Sequence, residues 1–263
     1  MRKLNSFWVC LFLSFCVGCG KQSAQTSPPQ GQKLTLRDLR PTNAYQFQPQ
    51  IVFEIVTFEL PTARVKEIKP ALAPFIPTDV QFGNEELFSK NGLCLFRGKG
   101  ENGDKLTSQL RFLEAKRTMR TSLITMDKTG ELFSTGTFFV ERYVFVTSHG
   151  GQTTGQAFLP GQIGWMITAA MTLRRDVVQV KMAPVYAPLE GSSIRLASGR
   201  KEYEEMPFEQ GRFELTIREG DFLVLAPGRV PTETTLDRML FGSDSKKDKM
   251  RLYVIIFVSA GQG

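Results

Sequence analysis

Residues 163–173 read IGWMITAAMTL, and the alternation along this stretch decides the fold class. In a β-strand, successive side chains point to opposite faces of the sheet. One face of this strand would carry large apolar residues, namely Ile163, Trp165, Ile167, Ala169, Met171 and Leu173. The other face would carry smaller or more polar residues. The pattern therefore predicts a strand with one face against an apolar environment.

The next apolar stretch, residues 177–186, predicts a second strand, which a turn at residues 174–176 would join to the first. The two strands would form an antiparallel hairpin with a shared apolar face. That face comprises Ile163, Trp165, Ile167, Met171, Leu173, Val178, Val180 and Met182. It could face lipid as part of a membrane β-barrel or line the core of a soluble sandwich. The residues leave both alternatives open.

Several other stretches rich in β-branched and aromatic residues also predict strands. Residues 137–147 and 251–260 are apolar on both alternate faces, which is typical of strands that are covered on both sides. Residues 213–218 and 221–226 flank Glu219-Gly220 and predict a hairpin. The remaining predictions are strands at 50–60, 121–126 and 131–134, loops at 97–105, 148–155 and 242–250, and helices at 62–72 and 106–119. The predicted fold is mainly β (α+β), with antiparallel sheets and one or two short helices.

The first 18 residues have the pattern of a signal peptide. Arg2 and Lys3 precede an apolar run at 7–17, which is shorter than the roughly 20 residues needed to span a bilayer. The run closes on Cys16-Val17-Gly18-Cys19, which resembles the lipobox of bacterial lipoproteins, although Cys16 stands where that motif usually has Leu. The resemblance implies lipidation of Cys19 and anchoring to a membrane. The alternative is plain secretion, with cleavage near Gly18 or Gly20.

Residues 19–48 are predicted to form a tether between this lipid and a folded body at residues 49–263. The segment 21–32 is rich in Gln, Ser, Thr and Pro and has no apolar run, so it cannot bury enough surface to fold. In the lipoproteins of some bacteria, Asp directly after the lipidated cysteine marks retention in the inner membrane. Gly20 occupies that position here, so the resemblance favours the outer membrane. The expected location is therefore the cell envelope.

Composition and residue types argue against several classes of function. The net charge is +7, but the basic residues are scattered along the chain and are not interleaved with aromatic residues, so we expect no nucleic-acid partner. His149 is the one histidine, and no Cys or His cluster has metal-ligand spacing. Nucleotide-binding glycine motifs are absent. We therefore expect no catalytic, metal or cofactor site, and Cys94, among apolar neighbours, should be a buried structural residue.

The order of the predicted elements resembles the C-terminal domain of the secretin family, the outer-membrane channels of type II and type III secretion and of type IV pili. The resemblance covers residues 49–260 and is carried by PQIVFEIVTFEL at 49–60, the predicted helix, strand and turn within 110–130, FLPG at 158–161 followed by the predicted hairpin, and EGDFLVL at 219–225 with the final strand at 251–260. The family consensus Val-Pro-x-Leu-Gly-Asp-x-Pro is absent. The resemblance thus implies a reduced secretin-like β-domain.

Two hypotheses for function follow. In the first, the chain is an outer-membrane lipoprotein with a structural or transport-associated role that assembles as a homo-oligomer or with other cell-envelope proteins. In the second, it is a lipid-tethered binding or scaffold module without a pore, and its loops at 97–105, 148–155 and 242–250 are contact surfaces. The mass of the native particle distinguishes the two.

Overall fold

The structure is a computed structural model, and it describes residues 49–174, 176–189, 205–232, 234–243 and 248–261. The predicted signal peptide, Cys19 and the tether lie outside these residues. The strands of the described part are β1 (Gln50–Pro61), β2 (Gln81–Phe82), β3 (Leu93–Gly98), β4 (Lys116–Met126), β5 (Gly130–Phe138), β6 (Arg142–Thr147), β7 (Thr153–Phe158), β8 (Gly161–Met171), β9 (Val177–Pro188), β10 (Met206–Pro207), β11 (Phe213–Arg218), β12 (Phe222–Pro227) and β13 (Lys249–Gly261). The α-helices are α1 (Val65–Leu72), α2 (Glu85–Lys90), α3 (Gly103–Phe112) and α4 (Leu236–Phe241).

The strands form two large antiparallel sheets and one small ribbon. The first sheet has the order β3-β12-β13-β1-β4, and the second has the order β2-β11-β9-β8-β5, with β10 beside β9. β6 and β7 pair with each other in a two-stranded ribbon. The expected mainly-β, antiparallel fold class is confirmed. None of the described helices has the length and apolar character needed to cross a membrane.

The core lies between the two sheets, with α4 inserted between them. The Phe241 ring of α4 lies 6.4 Å from the Trp165 ring of β8 and 5.8 Å from the Tyr253 ring of β13. Beyond the helix, Phe133 of β5 contacts Tyr253 directly, at 5.1 Å between ring centroids. A second layer covers the other face of the first sheet, where Phe75, just after α1, packs edge-on against Phe222. The first sheet is therefore buried on both faces at its centre, as its apolar strands require.

The two predicted helices are present with different bounds. The first follows a 3-10 turn and runs from Val65 to Leu72, close to prediction. The second begins earlier, at Gly103, and ends at Phe112, so the predicted loop at 97–105 is wrong in its second half. Glu114 has a left-handed φ of 55°, which ends the helix, and β4 starts at Lys116 instead of a continued helix.

The predicted continuous strand at 137–147 is wrong. β5 ends at Phe138, and β6 begins at Arg142 in a different sheet, with a bend at residues 139–141 between them. The exposed Glu141 and Arg142 mark the break, because a strand covered on both sides has no place for two adjacent charges.

The predicted polar loop at 148–155 is also shortened, since β7 begins at Thr153.

The predicted hairpin around Glu219-Gly220 is wrong as well. β11 pairs with β9 and β2 in the second sheet, whereas β12 pairs with β3 and β13 in the first. Gly220 adopts a left-handed φ of 84°, and its N–H donates to the carbonyl of Phe257 at 2.8 Å. The turn is therefore a corner between sheets. β11 is buried on one face only, while β12 is buried throughout, so the two strands suit different environments.

Candidate functional site

The predicted hairpin of β8 and β9 is present, and the structure places its apolar face between the two sheets. Ile163, Trp165, Ile167, Val178, Val180 and Met182 are all at most 2% exposed. Their partners across the strands share the same core, as in Ile167 opposite Met182. Met171 is partly buried against the core, and Leu173 is fully exposed after the end of β8. The outward face of β9 carries Gln179 and Lys181, which are exposed.

Five of the fourteen exposed large apolar side chains of the described residues lie on or next to the β6–β7 ribbon and the bend before it. We call this set the ribbon surface, and it comprises Phe139, Val140, Tyr143, Phe145 and Leu159. Phe139 is 76% exposed and Tyr143 is 58% exposed. Contiguous exposed apolar residues of this size mark interaction sites in soluble proteins, whereas single ones do not.

The sequence of the ribbon explains why aromatic rings lie on its outer face. In β6, Val144 and Val146 are buried, so the alternating Tyr143 and Phe145 must point outward. The residues opposite them on β7 are small, since Tyr143 pairs with Ala157 and Phe145 with Gly155. A Cβ at Gly155 would lie 2.7 Å from the Phe145 ring, so the ring lies directly over the glycine backbone. This covering holds the ring flat on the ribbon.

Two contacts fix the ribbon to the body. The N–H of Phe145 donates to the carbonyl of Thr234 at 2.7 Å, and Phe145 forms a single parallel β-bridge with Thr235, just before α4. At the end of β6, the buried Asn91 side chain donates to the carbonyl of Thr147 and accepts from its N–H, at 2.9 and 2.8 Å. The ribbon surface is therefore presented on a rigid support, which a binding surface requires.

The ribbon surface and the start of the folded body lie at opposite ends of β8. Phe138, immediately before the bend, pairs with Gly161 at the beginning of β8. At its other end, the N–H of Met171 donates to Asp127, whose own N–H donates to the carbonyl of Pro49. Ten residue steps along a strand span roughly 33 Å. Phe139 and Leu159 are thus separated from Pro49 by about the length of the sheet.

The three loops expected to be contact surfaces have different outcomes. The loop at 148–155 closes the ribbon, and His149 in it is exposed. The segment 97–105 mainly forms the end of β3 and the start of α3. Residues 244–247 of the third loop lie outside the described residues, and Lys249 already belongs to β13. The ribbon surface itself was missed, because 137–147 was interpreted as a covered strand.

The described residues offer no cluster of three or more His, Cys, Asp or Glu side chains that could hold a metal ion. Cys94 is buried in β3, as its apolar neighbours predicted. Burial raises the pKa of its thiol to about 11, and nearby Lys69 offsets only part of this effect. Because the thiolate is the nucleophile, such a thiol is unreactive near neutral pH.

Comparisons with known proteins found no matching family model and no matching curated protein. Among solved structures, the chain is weakly similar to the secretin-domain β-barrel of InvG from the Salmonella SPI-1 injectisome base. The TM-score is 0.17 and the sequence identity is 11%. The match covers 81% of this chain and 60% of that chain, so this chain spans less than two thirds of the length of its neighbour. A likeness of this strength does not bear on function, which must be inferred from the surface described above.

Proposed function

We propose that this chain is an exported lipoprotein of the bacterial cell envelope, most simply of the outer membrane, whose β-rich body is a binding or scaffold module and not an enzyme. The ribbon surface carries the proposal. Three of its five residues, Phe139, Tyr143 and Phe145, are aromatic, and aromatic residues are enriched in protein–protein interfaces.

The position of the ribbon surface supports a protein partner. Lipid on Cys19 would hold the chain at the membrane, and a tether of about 30 residues reaches roughly 30 Å when it behaves as a flexible coil. The folded body begins at Pro49, at the opposite end of β8 from Phe139 and Leu159. Because the tether would join the body at the end far from the ribbon surface, it would leave that surface accessible to other envelope proteins.

The partner can be tested by site-specific photo-cross-linking in cells that express the full-length chain. A photoreactive residue at Tyr143 should yield a discrete cross-linked product, whereas one at Thr107, exposed on α3, should not. Replacing Phe139 and Leu159 by Ser should abolish the product without lowering the melting temperature, because both side chains are exposed. A product that survives this double substitution would contradict the proposal.

Lipid anchoring is a separate part of the proposal and needs its own test. Cys19→Ser should move the protein from the membrane fraction to the soluble fraction and remove the mass of the acyl chains. One acyl chain binds a membrane only marginally, so several chains are needed for stable anchoring. An unchanged distribution in the Cys19→Ser variant would exclude lipid on Cys19 as the anchor.

A second candidate function is a reduced secretin-like assembly with a structural or transport-associated role. One observation supports it: among the described strands, β4 pairs only with β1 and β5 only with β8, so each is an edge strand. Edge strands are the elements through which copies of a chain can pair. The assembly hypothesis requires a particle of many subunits, and a monomer or dimer would exclude it.

A further inference from the structure

A cleft opens between the two sheets on the side where β4 and β5 form their edges. Its volume is about 440 Å³, which is within the range of ligand sites. β1 contributes Thr57 and Glu59 to it, and β13 contributes Arg251 and Tyr253. Thr118 and Met119 line it from β4, and the segment Phe133 to Thr137 lines it from β5. The cleft is distinct from the ribbon surface, with which it shares no residue.

A β-bulge shapes the β5 wall of the cleft. The register to β8 shifts between Ser134 and Gly136, so Thr135 has no partner residue across the strands. The Thr135 hydroxyl donates to the carbonyl of Ile163 at 3.1 Å, and the Thr135 carbonyl accepts from Arg251 Nη1 at 2.8 Å. Bulges are common at sheet edges and next to functional sites, where they redirect a side chain or end the strand pairing.

The two charged residues that line the cleft, Glu59 and Arg251, have opposite charges. Glu59 accepts a hydrogen bond from Ser243 at 3.0 Å and lies 3.7 Å from Lys249 Nζ and 4.0 Å from Arg251 Nε. All three charged side chains are largely buried. Because Glu59 and Arg251 have opposite charges and Lys249 does not line the cleft, the cleft lining has no net charge and does not favour a strongly charged ligand. The cleft thus suits a ligand with neutral hydrogen-bonding groups.

Among the described residues, Thr57 places an unpaired hydroxyl in the wall of the cleft. The residue is only 4% exposed, yet its hydroxyl has no hydrogen-bond partner within the described part of the chain. Buried polar groups in folded proteins nearly always have a partner, so an unpaired hydroxyl in the wall of a cleft calls for one. A ligand with a hydrogen-bonding group at that point would provide it.

We propose that this cleft binds an extended peptide segment of another protein by strand addition. The backbone groups along the outer edges of β4 and β5 have no strand partner among the described residues, and the cleft lies beside both edges. An extended peptide offers neutral N–H and C=O groups at the strand spacing, which is how peptides add to open sheet edges. The Thr57 hydroxyl, on the strand next to the β4 edge, would then contact a small polar side chain of the added peptide, beside Thr118, whose hydroxyl donates to the carbonyl of Thr57 at 3.3 Å.

The proposal is tested by panning a phage-displayed library of random heptapeptides on the full-length protein. An enriched peptide is then synthesised and its affinity is measured against two matched variants. Thr118→Trp should fill the cleft and weaken binding at least tenfold, whereas Ser122→Trp, exposed on the same strand but outside the cleft, should change it less than twofold. Thr57→Val keeps the shape but removes the hydroxyl, and it should weaken binding several-fold while leaving the melting temperature unchanged or higher.

Hydrogen exchange locates the bound peptide. Added protection in amides of β4 or β5 is expected. Three outcomes overturn the proposal: no enriched peptide, equal binding to the Thr118→Trp variant, or protection confined to the ribbon of β6 and β7. None of these outcomes depends on the photo-cross-linking result, so the cleft and the ribbon surface are tested separately.

Discussion

At the scale of single residues, the turn between α2 and β3 combines a left-handed glycine with close packing against α4. Gly92 has a left-handed φ of 74°, and a Cβ there would collide with the carboxylate of Asp237. Asp237 is fully buried, and its two oxygens accept from Arg229 Nε at 3.2 Å and from the N–H of Arg238 at 3.0 Å. Asn91, next to Gly92, is hydrogen-bonded to Thr147 at the end of β6. The turn therefore connects the ribbon to α4.

Gly92→Ala should lower the free energy of unfolding by about 2–4 kcal/mol, because it adds a collision to the strain of a left-handed residue. Gly150 is the matched control. It has a φ of 82° but has no atom within 4 Å of the added Cβ, so Gly150→Ala should lower the free energy of unfolding by only about 1 kcal/mol. Urea unfolding measures both, and equal losses would show that the contact with Asp237 is unimportant.

Asp237 should also make stability depend on pH. Burial raises the pKa of Asp237, and its contacts with Thr235 and Arg229 offset only part of this effect. A raised pKa means that the folded state binds the proton more tightly than the unfolded state, so the contribution of this group to stability is lost as pH rises above about 4. Asp237→Asn cannot ionise. The variant should therefore gain stability relative to the wild type as pH increases from about 4 to 7 in urea unfolding, and a constant difference would contradict this cause.

At the scale of elements, the β8–β9 hairpin shows how one sequence pattern permits two environments. Period-two alternation requires an apolar neighbour for one face but does not distinguish lipid from protein. In the structure, the neighbour of this face is the first sheet together with α4, through contacts such as Trp165 with Phe241. The outward face of the same hairpin includes a salt bridge between Lys181 and Glu214 at 3.2 Å.

Two substitutions in this hairpin distinguish core from membrane. Ile167→Ala should lower the free energy of unfolding by about 2–5 kcal/mol, because it leaves a cavity between the sheets. Leu173→Ala should change it by no more than about 0.5 kcal/mol, since Leu173 is fully exposed. Both are measured by chemical unfolding without detergent. A loss for Ile167→Ala that appears only in lipid or detergent would place this face in a membrane.

At the scale of the whole molecule, the two functional hypotheses differ in the size of the native particle. The full-length protein extracted in mild detergent should run as a monomer or dimer, because the described body buries the apolar faces of both sheets within one chain. Native mass determination checks this. A ring of many subunits would favour the secretin-like assembly, and conductance measurements would then follow.

The fold class and much of the core could be predicted from the sequence. The alternation at 163–173, the covered strand at 251–260 and the burial of Cys94 all depend on the local pattern of apolar residues, which survives in the tertiary structure. The helix at 62–72 was also predicted, because helical spacing is local as well. The predictions of a lipid anchor and a tether likewise come from the sequence, and both concern residues outside the described part.

Only the tertiary structure decided which strands pair and which surfaces stay open. β11 and β12 are neighbours in sequence but belong to different sheets, since strand pairing depends on distant partners such as β9 and β13. The ribbon surface arises because β6 leaves the sheet that contains β5, which exposes aromatic residues that the sequence alone places in a core. The cleft between β4 and β5 likewise exists because two edges meet in space. The local pattern of apolar residues determines which side chains favour burial, whereas the packing of distant strands determines which of them are buried.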